Sequence, residues 1–188
     1  MPVSTKTLIL LFHPSYESSR ANRALAEAAA SQEAEIVDMQ ALYPDGKIDS
    51  DAEVARLIAA DRIVLQFPVQ WYSTPALLKA WQDAVLTRMF YIAYESEGRR
   101  LAGKPLLVAA TAGNVPEAYA PGGANLFPLG ELLRPLEAMA HRCGLAWQEP
   151  FLVYGARKAD EEALDALGAH YAARLARLAS NTRVAAAA

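Results

Sequence analysis

The stretch Ile63-Val64-Leu65-Gln66-Phe67 and the loop after it, Pro68-Val69-Gln70-Trp71-Tyr72-Ser73-Thr74-Pro75, decide the fold of this chain. The short apolar run bounded by proline predicts a buried strand. Residues 76–81 predict the start of a helix, with Thr74 as its cap and Pro75 in its first turn. The loop then lies at the carboxyl end of a strand, where open α/β sheets bind their ligands. Its two adjacent aromatic side chains suit a flat aromatic ligand.

Apolar runs and helical patterns alternate along the rest of the chain. The predicted strands are 7–12, 34–39, 62–67, 105–111 and 147–154. The predicted helices are 20–31, 53–60, 76–88, 129–142 with a kink or a late start at Pro135, and one that begins after Asp160. Near-continuous apolar strands indicate a parallel sheet covered on both faces. We therefore predict an α/β three-layer sandwich whose five-stranded parallel sheet has the order 2-1-3-4-5.

Length and composition limit the class of protein. With 188 residues, of which 53% are hydrophobic, the chain can form one domain with a substantial core. We predict a single domain over residues 1–183 and a frayed tail over 184–188. The net charge of −3 and the dispersed basic residues give no electrostatic reason to expect a nucleic-acid partner. The early apolar run lacks a cleavage site and no run is long enough to span a membrane, so we expect a soluble cytoplasmic protein.

Isolated chemical groups are assigned structural roles at this stage. Cys143 is the only cysteine, which excludes an intramolecular disulfide and a cysteine-based zinc motif, and we interpret it as a structural thiol. We interpret Asp38, Glu53 and Asp83 as solvated or capping charges. We propose no metal site.

The loop after the first strand carries polar groups at the start of a helix. It contains no glycine, so it is neither a dinucleotide fingerprint nor a P-loop. Ser18, Ser19 and Asn22 accompany the free N–H groups and the dipole of the helix terminus, which attract phosphate. His13 and Arg20 are able to add charge-assisted hydrogen bonds. The alternative is ordinary helix capping by Ser19.

Two further loops follow the third and fourth strands. Trp71 and Tyr72 either contact a ligand or are core aromatics with incidental exposure. Thr111-Ala112-Gly113-Asn114 begins a loop longer than the usual ~2–6 residues, which indicates a functional loop rather than a merely flexible one. We expect Gly113 to adopt positive φ and so to free backbone N–H groups for carbonyl oxygens of a ligand. Tyr119 lies further along the same loop.

These three loops resemble those of a known family. His13-Pro14 with Ser19-Arg20-Ala21-Asn22, then Phe67-Pro68-Val69-Gln70-Trp71-Tyr72, then Thr111-Ala112-Gly113-Asn114 resemble the NAD(P)H:quinone oxidoreductases, flavodoxin-like relatives of DT-diaphorase. The similarity extends to a small bacterial branch that includes ancillary subunits of glutathione-gated Kef potassium efflux systems. It covers roughly residues 7 to 155.

The resemblance implies a flavoprotein enzyme. It implies bound FMN, or FAD in some relatives, with NAD(P)H as hydride donor and a small-molecule quinone as acceptor. It also implies a homodimer with the active site at the subunit interface, and in the Kef branch a membrane transporter as partner. Phe90, Tyr91 and Tyr94 would either line the substrate pocket or pack in the dimer interface.

The same resemblance implies the site residues. The cofactor-binding residues would be His13, Ser19, Arg20, Ala21, Asn22, Pro68, Val69, Gln70, Trp71, Tyr72, Thr111, Ala112, Gly113 and Asn114. In the resemblance, Ser19 and Asn22 would hold the phosphate, residues 69–72 would run along the flavin ring, and residues 111–114 would wrap its pyrimidine end. Tyr119 and Asn125 would be catalytic. Tyr119 matches a family tyrosine near the flavin carbonyls, and Asn125 stands at about the place where many members carry a histidine.

Two other functions remain open from the sequence. The chain would alternatively be a regulatory flavoprotein subunit of a potassium efflux system, or a flavodoxin-type electron carrier. An electron carrier of that type usually has a strongly acidic surface, which a net charge of −3 does not supply.

Overall fold

A computed structural model describes residues 6–187, with side chains described over residues 6–180. Its sheet contains the strands β1 (Thr7–Leu11), β2 (Glu35–Asp38), β3 (Arg62–Pro68), β4 (Pro105–Thr111), β5 (Ala146–Trp147) and β6 (Phe151–Val153). The order is β2-β1-β3-β4-β5, with β6 also paired to β4, and every pair is parallel. The predicted order 2-1-3-4-5 is therefore confirmed, with two short segments in the fifth position.

The predicted fifth strand over 147–154 is interrupted because of a proline. β5 pairs with the start of β4, and β6 resumes the pairing opposite Ala109. Pro150 lies between the two segments. Proline has no N–H to donate to a neighbouring strand, so an edge strand accommodates it by breaking the ladder.

Seven α-helices occupy the described part of the chain. They are α1 (Arg20–Ala30), α2 (Met39–Leu42), α3 (Ser50–Ala59), α4 (Ala76–Trp81), α5 (Leu129–Leu132), α6 (Arg134–Arg142) and α7 (Glu161–Ala187). Helix α4 continues into two π-helical segments, Gln82–Leu86 and Arg88–Ile92. Leu133 separates α5 from α6, and Pro135 lies in the first turn of α6. The predicted helix over 129–142 therefore begins at Leu129 and is interrupted next to Pro135, where the sequence predicts a kink or a late start.

The C-terminal helix is longer than the sequence pattern predicts. The Asp160 carboxylate accepts a hydrogen bond from the Ala163 N–H at 2.9 Å, so the predicted cap is confirmed. The backbone of α7 continues to Ala187 and so includes most of the predicted tail. Residues 1–5 and Ala188 lie outside the described residues. Fraying of the tail and the single-domain organisation stay predictions.

Each face of the sheet is covered by its own helices because the strand side chains alternate. Ile9 of β1 packs with Leu25 of α1 and Tyr171 of α7 on one face. Leu8 and Leu10 belong to the larger core on the other face, which α3, α4 and α6 cover. All five side chains of β1 are buried, as expected for a parallel sheet between two helical layers.

Two local predictions are wrong. Thr74 does not cap α4, since Pro75 occupies the cap position and accepts the Leu78 N–H through its carbonyl at 3.1 Å. Glu53 is not a solvated charge, because its side chain is fully buried. Its carboxylate accepts hydrogen bonds from the Tyr43 hydroxyl, the Trp81 Nε1–H and the Arg56 Nε–H at 3.0, 3.0 and 3.2 Å. These donors compensate the loss of hydration that burial imposes on a carboxylate.

The other two acidic residues behave as predicted. Asp38 caps α2 by accepting the N–H groups of Gln40 and Ala41 at 3.0 Å each, and Asp83 forms an exposed ion pair with Lys79. Within residues 6–187, none of the helices combines the length and the apolar character that crossing a bilayer requires.

Candidate functional site

Two adjoining clefts lie at the carboxyl edge of the sheet. The main cleft, of about 670 Å³, is lined by His13, Ser18, Ser19, Arg20, Ala21, Asn22, Pro68, Val69, Gln70, Thr111, Gly113, Asn114, Ala156 and Arg157. The aromatic cleft, of about 560 Å³, is lined by Val69, Gln70, Trp71, Tyr72, Tyr119 and Arg157. Together they contain every predicted cofactor residue except Ala112, which is buried beneath them with its N–H donated to the Val153 carbonyl.

The start of α1 forms one end of the main cleft. Ser19 is the N-cap, and its hydroxyl oxygen accepts the Asn22 N–H at 3.4 Å. No acceptor within the described part of the chain takes the N–H of Arg20 or of Ala21. First-turn N–H groups of a helix are unsatisfied by the helix itself and attract anions. This end of the cleft is therefore suited to a phosphate.

His13 lies beside this helix start as a neutral donor. Its Nδ1 accepts the Ser15 N–H at 3.0 Å, so in the neutral ring the hydrogen is on Nε2. Burial lowers the pKa of His13, and the nearby Asp38 carboxylate opposes that shift. The imidazole consequently offers an N–H but no positive charge at neutral pH.

A buried polar network supports the cleft from below. Asn22 donates its two amide hydrogens to the hydroxyls of Ser19 and Thr111, at 3.1 and 3.0 Å. The Gln66 side chain donates to the backbone carbonyl of Asn22 at 3.0 Å and accepts a hydrogen bond from the Tyr171 hydroxyl at 3.4 Å. A side-chain contact between Asn22 and a ligand phosphate would require these bonds to break. The network instead fixes the first turn of α1 against the ends of β3 and β4.

The second loop is a tight turn with an unusual backbone. The N–H of Gln70 donates to the Ser73 carbonyl at 2.9 Å, and the reciprocal bond is 3.0 Å. Trp71 and Tyr72 both have positive φ, 46° and 65°, which is typical of a type I′ turn and normally favours Asn and Gly. Left-handed backbone costs roughly 1–2 kcal/mol for a residue with a side chain.

The exposure of these aromatics argues against a packing role. Trp71 is 93% exposed and Tyr72 is 48% exposed, so the alternative that they are core aromatics is wrong. Residues held in strained backbone conformations cluster at active sites and ligand clamps. The turn is therefore best explained as a platform for a ligand.

The third loop departs from the predicted geometry at Gly113. Its φ is not among the positive values, so the expectation of a left-handed glycine is wrong. A Cβ built on Gly113 would lie 3.4 Å from the Cδ and Nε atoms of Arg157. A side chain at this position would therefore be in ordinary van der Waals contact with the arginine side chain, which lies over the loop. The loop is also tied to the segment after β6, because the Gly155 N–H donates to the Asn114 carbonyl at 2.8 Å and the Ala156 N–H to the Ala112 carbonyl at 3.0 Å.

The two predicted catalytic residues both lie next to Tyr72. Tyr119 lines the aromatic cleft, and its ring meets the Tyr154 ring edge-on at 5.6 Å between centroids. Burial raises the pKa of Tyr119, and Tyr72 and Tyr154 add to that shift. The Asn125 Oδ1 accepts a weak hydrogen bond from the Tyr72 hydroxyl at 3.5 Å, while its buried Nδ2 has no partner among the described residues. A buried donor without an acceptor is rare and fits a site that a ligand completes.

Neither cleft is lined by Phe90, Tyr91 or Tyr94 of the same protomer. Phe90 is buried and its ring centroid is 6.1 Å from that of Tyr94. Tyr91 is 71% exposed, with the Arg142 guanidinium 5.1 Å from its ring centroid. Phe90 and Tyr91 border a separate groove of about 380 Å³ between the π-helical segments and α6. Substrate contact and interface packing both stay open for them.

Sequence reasoning missed two residues of the site. Gln66 was assigned only to a strand, although an amide in the run Ile63–Phe67 is a signal of buried hydrogen bonding. Arg157 was not assigned a role, although it follows the last strand at the ligand-binding edge of the sheet. Among the described residues, no cluster of three or more His, Cys, Asp or Glu side chains is arranged to hold a metal ion.

Taken together, these elements define an open, doubly wound α/β protein with its ligand clefts at the carboxyl edge of the sheet. The sequence profile of a family described as having a flavodoxin-like fold matches residues 5–175. The chain belongs to this flavodoxin-like family.

Individual relatives agree with the resemblance seen in the sequence. KefF, the ancillary protein of a glutathione-regulated potassium-efflux system in Klebsiella pneumoniae, is 41% identical over 169 residues, which are 89% of this chain and 93% of KefF. General stress protein 14 of Treponema denticola, solved in complex with FMN, has a TM-score of 0.84 and 33% identity over 92% of this chain and 99% of its own. An NADPH-quinone reductase from P. pentosaceus has a TM-score of 0.76 and 28% identity over 89% of this chain and 96% of its own.

Proposed function

We propose that the protein is an FMN-dependent NAD(P)H oxidoreductase that reduces quinones. The observation that carries the proposal is the convergence of three loops, of which one holds Trp71 and Tyr72 exposed on a strained turn. The FMN complex of the Treponema protein and the activity named for the P. pentosaceus reductase support it. FAD is the alternative flavin.

The residues of the two clefts fit the parts of a flavin mononucleotide. The N–H groups of Arg20 and Ala21 and the Ser19 hydroxyl would hold the phosphate. The turn at Trp71 and Tyr72 would support the ring, and the residues around Gly113 would face its polar edge. When bound, FMN supplies the two-electron hydride chemistry that the side chains of this chain lack.

The protein would orient the reactants and supply hydrogen bonds. NAD(P)H and the quinone would use the same space beside the aromatic turn in succession, which makes the kinetics ping-pong. Because burial raises the pKa of Tyr119, its phenol is protonated at neutral pH and would donate a hydrogen bond to developing negative charge. Asn125 would add its unpaired Nδ2–H donor or position Tyr72.

The proposal includes a homodimer and a cytoplasmic location. Large apolar side chains are exposed near the clefts and along the π-helical segments, among them Tyr91, Ile92, Leu126 and Phe127. A second subunit would cover such side chains and would enclose the open aromatic cleft. Steady-state kinetics identifies the quinone and the choice between NADH and NADPH.

The test begins with the purified full-length protein. After incubation with FMN or FAD and removal of excess ligand, we expect yellow protein whose released cofactor is FMN. Steady-state rates with NADH and NADPH against a panel of quinones should give parallel lines in double-reciprocal plots. Protein that stays colourless after both incubations contradicts the proposal.

A regulatory role is a second candidate because of the similarity to KefF. In that case the chain would bind a membrane transporter and use its flavin site for sensing. Affinity purification from detergent-solubilised membranes tests for such a partner. A partner whose gating is unchanged by a variant that cannot reduce quinones would favour regulation over catalysis as the main role. A carrier that exchanges single electrons with protein partners, and turns over no quinone, would indicate the flavodoxin-type alternative.

A further inference from the structure

The aromatic cleft has one charged side chain among the described residues that line it. That residue is Arg157, and the other five lining residues are uncharged. None of the described residues that line the adjoining main cleft is acidic. A cleft lined by charge of one sign raises the local concentration of ligands of the opposite sign. The lining therefore favours a ligand that brings negative charge to the place where Arg157 lies.

Arg157 lies at the boundary between the two clefts, since it lines both of them. Its Cδ and Nε atoms are 3.4 Å from a Cβ built on Gly113, which places the side chain beside the third loop. The backbone of its segment is fixed there, because the N–H groups of Gly155 and Ala156 donate to carbonyls of that loop at 2.8 and 3.0 Å. The cation is thus held at the end of the site that is proposed for the flavin ring.

The guanidinium of Arg157 is not used by the fold. The residue is exposed, and among the described residues none forms a hydrogen bond or an ion pair with its side chain. Arg20, the other arginine of the main cleft, differs, because it forms an ion pair with Glu161 and donates to the Ala159 carbonyl at 2.7 Å. Arg157 is therefore the arginine that is available to a ligand arriving from solvent.

The exposure of Arg157 also distinguishes between two kinds of anion. Charge on a reduced flavin is one candidate, but water and salt screen the interaction of an exposed guanidinium with such a charge. A ligand that enters the aromatic cleft and covers the guanidinium displaces that water and pairs with it directly. Trp71, which is 93% exposed in the same cleft, offers an aromatic surface to the ring of that ligand. An acidic group on the electron acceptor is therefore the better partner.

We propose that the aromatic cleft binds quinones that carry a carboxylate or a sulfonate group, with Arg157 as the residue that pairs with that group. The inference rests on the proposed function and names the class of its electron acceptor. A guanidinium presents planar donors that match two oxygens of such a group, so it fixes the direction in which the quinone enters. Arg157 is thus a specificity-determining residue, and neutral quinones bind without its help.

The test compares a naphthoquinone with its sulfonated derivative on the full-length protein loaded with FMN. Oxidised flavin has no electrons to pass to a quinone, so titration without NAD(P)H, followed by flavin absorbance, gives the Kd of each quinone. In Arg157→Gln we expect the Kd and the KM of the sulfonated quinone to rise by about five- to tenfold, between the effects of losing an exposed ion pair and a hydrogen bond to a charged group. Both values for the neutral quinone should stay the same. In wild-type protein, the affinity for the sulfonated quinone should fall as ionic strength rises.

Lys158→Gln is the matched control, since Lys158 is the exposed neighbouring cation and lines neither cleft. It should leave the affinities for both quinones unchanged. Circular dichroism and thermal unfolding check that both variants are folded, and the absorbance of bound FMN checks that both are loaded. An unchanged affinity of Arg157→Gln for the sulfonated quinone would overturn the proposal, as would an equal loss for both quinones.

Two other outcomes assign the charge elsewhere and overturn the proposal. A lower flavin reduction potential in Arg157→Gln, with slower reduction of both quinones, assigns it to the flavin. A higher KM for NADH or NADPH, with both quinones unaffected, assigns it to the co-substrate. The proposed function fails separately, when wild-type protein binds no flavin or reduces neither quinone. Wild-type protein that reduces both quinones, while Arg157→Gln does so with the same KM values, contradicts only the role of Arg157.

Discussion

At the residue scale, Trp71 has a strained backbone and an exposed side chain. A substitution there should therefore change the stability of the fold and the affinity for flavin in opposite directions. Trp71→Gly removes a side chain from left-handed backbone, and we expect the free energy of unfolding to rise by up to about 1 kcal/mol. Loss of the ring should weaken flavin binding by about tenfold. Chemical denaturation and flavin titration measure the two effects.

The control for this variant is Glu33→Gly. Glu33 also has positive φ, 56°, and is exposed, but it lies at the opposite end of the sheet. It should gain similar stability without any change in flavin affinity. If Trp71→Gly destabilises the protein and leaves flavin affinity intact, the turn is a packing element instead of a platform.

The second residue-scale prediction concerns Cys143. Its side chain is 5% exposed, and burial raises the pKa of the thiol to about 11. Because the thiolate is the reactive form, native protein should react with a thiol reagent far more slowly than denatured protein at mildly alkaline pH. Rapid modification of the native state would contradict the structural role that the sequence analysis assigned to it.

At the element scale, Lys104 closes the end of α3. Its ammonium group donates to the carbonyls of Leu57, Ile58 and Ala60 at 3.1, 2.7 and 2.5 Å. Lys104→Met should lower the free energy of unfolding by about 2 kcal/mol, because it removes charged donors from carbonyls at a helix end. Urea denaturation gives the value. Lys79→Met, which breaks only an exposed ion pair with Asp83, should cost less than about 0.5 kcal/mol.

The elements themselves were predictable from the sequence to a large extent. Continuous apolar runs identified β1, β3 and β4 closely, because strands buried on both faces need apolar residues at every position. Details that depend on tertiary contacts were not predictable. The cap of α4 and the burial of Glu53 are set by partners distant in sequence, such as Trp81.

The site shows the same division. Its three loops were predictable because strand ends in a parallel sheet converge on one edge. The position of Arg157 beside both clefts was not, since it depends on how the segment after β6 packs over the third loop. The Arg20–Glu161 pair contacts the same region and joins residues far apart in the chain, so it could not be predicted either.

At the scale of the whole molecule, the proposed homodimer is open to a direct test. Ile92 is 79% exposed at the end of the π-helical segments, so Ile92→Asp should cost the isolated fold little. If this surface is the interface, the variant should sediment as a monomer and lose flavin-dependent turnover. Leu42→Asp, at a 45% exposed position of α2, is the control and should leave the mass unchanged. A dimeric Ile92→Asp protein would exclude this surface.

The buried network under the main cleft also orders events during synthesis. Tyr171 of α7 is the last member of a chain of hydrogen bonds that runs through Gln66 of β3 and Asn22 of α1 to Thr111 of β4. These hydrogen bonds join early and late parts of the polypeptide. While α7 is still in the ribosomal exit tunnel, the network lacks the Tyr171 hydroxyl. We therefore expect the buried support of the main cleft to be complete only after α7 has docked against the sheet.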